Sequence, residues 1–70
     1  MMQLGQAVSP ERLTVALVQE RDGREAAVDY ARRCMIQYRR AVLTSTRGNL
    51  FYLRWVRSYQ EFKRIVIENA

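Results

Sequence analysis

The sequence predicts an all-α fold, a short N-terminal helix packed on a long antiparallel helical hairpin. Three observations predict it. A Ser9-Pro10-Glu11 start precedes an apolar run, residues 27–42 carry apolar side chains at three-four spacing, and five large side chains recur at helical period from Phe51 to Val66. At 70 residues the chain is one small domain, read as a loose tail over 1–8 and a single helical unit over 9–70.

The first helix is expected over about 10–20. Ser9 can accept from free backbone N–H groups, Pro10 suits the first helical position, and Glu11 complements the positive helix end. Leu13, Ala16 and Leu17 fall on one face. A strand competes here, because LTVALV is rich in β-branched residues, but the Ser-Pro start favours a helix. Asp22-Gly23 interrupts the pattern, and Asp22 with Glu25 three residues on resembles a capping box. The second helix is expected over about 23–44, its stripe made of Ala27, Tyr30, Ala31, Cys34, Tyr38, Ala41 and Val42.

Residues 44–49, TSTRGN, are turn formers. The third helix is expected over about 50–67, with Phe51, Trp55, Tyr59, Phe62 and Val66 on one face and Tyr52, Val56 and Ile65 beside them. Arg57, Glu61, Arg64 and Glu68 lie opposite, as two four-apart ion pairs. The alternative is an α+β fold with a β-hairpin over about 41–56, since Gly48-Asn49 sits between β-formers. A hairpin would scatter the five-residue stripe over two faces, which favours the helix. The predicted core is Leu13, Leu17, Ala27, Tyr30, Cys34, Tyr38, Phe51, Trp55, Tyr59, Phe62 and Val66.

Composition narrows the chemistry. The chain has no His and a single Cys, so the usual four-ligand zinc sites and His-based nucleophile systems are excluded. No enzyme, cofactor or metal is expected. Asp22, Glu25 and Asp29 share one side, but acidic residues belong at a helix start, and Asp29 has Arg33 four residues on. Cys34, in the middle of the apolar stripe, reads as a small core residue, and the rings read as packing groups. No glycine-rich phosphate loop is present, and the acidic first turns of the second helix argue against a helix-turn-helix. The N-terminus lacks a basic, apolar leader pattern and no apolar run is long enough to span a bilayer, so a cytoplasmic location with no membrane partner is expected. A core this small leaves homo-oligomerisation open as a stabiliser.

Charge is unevenly distributed. Residues 1–29 carry three Arg against five acids, net −2, whereas residues 30–70 carry nine Arg or Lys against two, net +7. Seven-residue spacing stacks Arg32 over Arg39 and Arg33 over Arg40, with Ile36 and Leu43 between the rows. An apolar centre with a cationic rim is an interface plan. The expected function is therefore a non-catalytic regulatory module that docks on an acidic protein surface. Arg32, Arg39 and Arg40 are the charge contacts, and Ile36 and Leu43 the anchors. The alternatives are a nucleic-acid-binding regulator that adds Arg33, Arg47, Arg54, Arg57 and Arg64, and a self-assembling subunit.

Overall fold

In a computed structural model the described residues of the chain form three helices, α1 (Pro10–Asp22), α2 (Arg24–Thr44) and α3 (Tyr52–Glu68). The structure describes residues 9–45 and 48–69. No strand occurs among them, so the β-hairpin alternative over 41–56 is not supported. The expected tail over 1–8 lies outside the described residues.

Ser9 starts α1 as its sequence suggests, its hydroxyl oxygen accepting the Arg12 N–H at 3.2 Å. The helix runs two residues beyond the expected stop, to Asp22. Gly23 then ends it with φ +97°, ψ 169°, its N–H donating to the Gln19 carbonyl at 2.8 Å. This conformation is close to glycine-only. The expected capping box is not formed. Asp22 is still helical in α1, its carboxylate accepts Arg21 at 3.0 Å, and α2 begins without a side-chain cap.

At the far end of α2 the Ser45 hydroxyl donates to the Ala41 carbonyl at 2.9 Å. The Asn49 side chain accepts the Phe51 N–H at 2.7 Å, leading into α3. Turn chemistry thus acts where TSTRGN placed it.

The core is Val15 of α1, Ala27 and Ala31 of α2, and Phe62 and Ile65 of α3. Ala27 and Ala31 are almost fully covered, because their small side chains sit at the closest approach of the helices. Phe62 stacks on Tyr38 with ring centres 5.8 Å apart and meets Tyr30 edge-on at 6.5 Å. Tyr30, Cys34, Tyr38 and Val66 pack round the core half-buried. Trp55 and Tyr59 are also only half-buried.

Trp55 and Tyr59 are outside this core, and so are three further predicted core residues. Leu13 and Leu17 are 54% and 65% exposed, because α1 is turned about its axis. Its inward side is Glu11, Val15 and Val18, opposite Leu13, Ala16 and Leu17 on a 3.6-residue helix. Phe51 is exposed because it precedes α3 beyond the reach of α1, and stacks on Trp55 at 6.2 Å. The buried side of α3 is instead Ser58, Phe62 and Ile65.

Polar contacts set the rotation of α1. The Ser58 hydroxyl, itself buried, donates to Glu11 Oε2 at 2.7 Å, and the Ser9 hydroxyl donates to Glu61 Oε1 at 3.1 Å. Arg12 reaches Glu68 at 2.9 Å and Glu61 at 3.8 Å. The four-apart pairs expected within α3 are therefore not the ones present: Glu61 takes Arg12 and Arg64, the latter at 3.6 Å, and Glu68 takes Arg12. This flank of α3 faces α1 rather than open solvent. Asp29 and Arg33 do pair, at 3.5 Å.

The hydrogen bond from Arg12 holds the Glu68 carboxyl below its ordinary value, and the same bond raises the Arg12 guanidinium. A carboxylate lowered on folding stabilises the fold above its ordinary value, near 4.3, and that contribution fades as pH falls through the lowered value. Melting temperature is accordingly expected to drop on acidification, and by less in Arg12→Gln. The difference is small, because the pair is solvent-screened. Parallel melting profiles that keep a constant offset between the two proteins would contradict this.

Candidate docking surface

Helix α1 runs beside the base of the hairpin and stops short of its turn. Its contacts reach Ser58, Glu61 and Glu68, and Arg12, Val15 and Gln19 share a shallow depression with Ile65 and Asn69. Beyond this cover only two helices remain among the described residues, and none of their residues is buried there. From Arg39 to Arg57 no described residue is buried. Two helices alone cannot enclose a side chain from all sides. Leu43, Leu50, Phe51 and Leu53 are consequently more than half exposed, with Leu50 at 93%. Every charged side chain from residue 30 to residue 60 is an arginine.

The five residues expected to form the docking face all lie on the exposed side of α2. Arg32, Ile36, Arg39, Arg40 and Leu43 point away from Ala27, Ala31, Cys34 and Tyr38, as helical spacing requires. Helix α1 does not cover them. Ile36 is 48% and Leu43 71% exposed. Among the described residues, Arg32, Arg39 and Arg40 have no acidic partner, so their charge faces solvent uncompensated.

The wider arginine set is not gathered on one face. Arg33 is held by Asp29 and Arg64 by Glu61. Arg54 and Arg57 are exposed on a different side, where the end of α1 leaves a cleft between α2 and α3. Arg47 lies outside the described residues. Sequence reasoning missed the apolar turn end at Leu50 and Leu53, and the exposed Leu13–Leu17 side of α1. The signal for the turn end was present, since LFYLRWV holds more apolar side chains than one helical face can take.

Cys34 is a free, half-buried thiol on the wall of that cleft, not an enclosed core residue. Burial pushes the Tyr30 phenol up, and neighbouring Cys34 acts in the same direction. Among the described residues no three His, Cys, Asp or Glu side chains converge as metal ligands would. Among the described residues no helix is long and apolar enough to cross a membrane.

Fold and surface together define a small helical chain with three helices among the described residues and an exposed basic and apolar hairpin end. No protein family matches it, and no curated protein or solved structure is significantly similar.

Proposed function

We propose that the chain is a non-catalytic docking module that binds an acidic surface of a larger protein through the outer side of α2. Ile36 and Leu43 are the anchors, and Arg32, Arg39 and Arg40 the charged rim. The observation that carries this reading is the hairpin beyond α1, which holds exposed leucines, no buried residue among the described ones and only positive charge. Among the described residues, eight large apolar side chains are exposed against five hydrophobic residues buried, so covering surface is a larger gain for this chain than for a well-packed domain. Arginine suits the role because its planar fork bonds a carboxylate at two points. A second copy fits this face less well, because a two-fold contact centred on it sets arginine against arginine.

The test is an Arg39→Glu, Leu43→Asp double variant, compared with the parent for capture of partners from the native cell. Both positions are exposed, so helicity by circular dichroism should be unchanged. A partner with an acidic contact surface should be lost from the variant and recovered by neither single reversion in full. Retention of every parent partner would refute the reading. Duplex DNA and single-stranded RNA should bind weakly at about 50 mM salt. Tight binding that collapses by about 200 mM, and is lost in Arg39→Glu, Arg40→Glu, would instead assign the face to phosphate. Sedimentation at high concentration tests self-assembly separately.

A further inference from the structure

The cleft at the end of α1 has a composition of its own. Its volume is about 530 Å³, within the ~300–1,000 Å³ usual for small-molecule sites. Half-buried Tyr30 and Tyr38 supply aromatic surface, Tyr38 backed by buried Phe62, with Cys34 beside them and Ser58 on the α3 side. Tyr38 and Phe62 already lie nearly parallel, at 16°.

The charges come from one flank of α3. Near the base this flank presents Glu68 and Glu61, and both are met by Arg12 of α1. Toward the turn the next charged residues are Arg57 and Arg54, at the level where α1 begins with Pro10 and Glu11. Both guanidiniums line the cleft, are exposed, and have no acidic partner among the described residues. Glu11 is the only acidic residue in the lining, and one of its oxygens accepts the Ser58 hydroxyl. Two guanidiniums against one carboxylate leave the cleft with a net charge of +1.

We infer that this cleft binds a flat aromatic carboxylate, its ring against half-buried Tyr38 and its carboxylate on Arg54 and Arg57. A monoanion balances the lining, and a dianion would overcompensate it. The planar carboxylate matches the guanidinium fork. The cleft lies on the side of α2 away from Ile36 and Leu43, so this site is independent of the docking surface.

Cys34 is the only cysteine and lines the cleft, which makes its alkylation a direct reporter. The rate of Cys34 modification by iodoacetamide is measured in the full chain with 2-naphthoate and, separately, with its neutral amide, 2-naphthamide. With 2-naphthoate at about ten times its dissociation constant, roughly nine sites in ten are filled and alkylation should slow about tenfold. The amide should protect far less. In Arg54→Gln, Arg57→Gln, which changes two exposed side chains, protection by 2-naphthoate, read as the ratio of that variant's own rates with and without the ligand, should disappear. Ring-proton shifts of Tyr38 and Phe62 on adding 2-naphthoate locate the ligand independently. No protection, equal protection by the amide, or protection that survives the double variant would each overturn the assignment.

Discussion

Phe62→Ala is expected to leave the chain largely unfolded at room temperature. Phe62 is the one large ring in the core, 4% exposed, and it contacts both Tyr30 and Tyr38 while packing with Val15, Ala27, Ala31 and Ile65. Truncating a buried Phe to Ala costs about 3–5 kcal/mol through lost transfer energy and the cavity left behind. A single core in a chain this short rarely supplies more than about 3–5 kcal/mol in total. The two magnitudes meet, so the substitution removes the margin. Ala27 and Ala31 are too small to close the gap. Far-UV circular dichroism should show most helicity lost, since short isolated helices are marginal in water. Phe62→Leu keeps part of the volume and should retain a cooperative melt at lower temperature. A Phe62→Ala protein that melts within a few degrees of the parent would mean that the fold is held elsewhere.

Gly23→Ala is the second large effect, and it acts on the backbone. Nothing lies within 4 Å of where a Cβ would sit, so no side-chain clash opposes it. The obstacle is φ +97° with ψ 169°, a region that costs an L-residue about 1–3 kcal/mol. The chain has a second course open to it. Gly23 is the single residue between α1 and α2, and alanine is the best helix former. Adopting helical angles there would fuse the two into one helix from Pro10 to Thr44 and swing α1 off the hairpin. Val15 would leave the core, and Glu11 and Arg12 would leave α3. Helicity by far-UV circular dichroism should therefore be kept or rise, while the melting temperature falls and Tyr30, near the Val15–Phe62 contact, becomes more exposed. Unchanged melting and unchanged tyrosine environment would show that the reversal at residue 23 tolerates a side chain.

These two substitutions mark the boundary between local and long-range information. The helices themselves are local. Ser9-Pro10 starts α1, three-four spacing extends α2 to Thr44, and the turn formers after it admit α3, so all three were readable, with boundaries within about two residues. The exposed side of α2 was readable for the same reason. Its apolar stripe holds seven residues on one side, and Arg32, Ile36, Arg39, Arg40 and Leu43 are left on the other.

What was not readable is how each helix is turned about its own axis. Helix α1 has two candidate inner sides, Leu13–Ala16–Leu17 and Glu11–Val15–Val18, and hydrophobic spacing favours the first. The structure takes the second, because only that rotation aims Glu11 at Ser58 and Arg12 at Glu68, residues about fifty positions away. A buried hydroxyl without a partner costs about 1–3 kcal/mol, so Ser58 opposes any rotation that removes Glu11. The same choice leaves two leucines outside and gives Glu61 and Glu68 a partner from another helix. Helix formation depends on residues three or four apart and is written in the chain. Helix rotation, and with it the cleft and the uncovered hairpin end, depends on contacts between residues that meet only once the helices have packed.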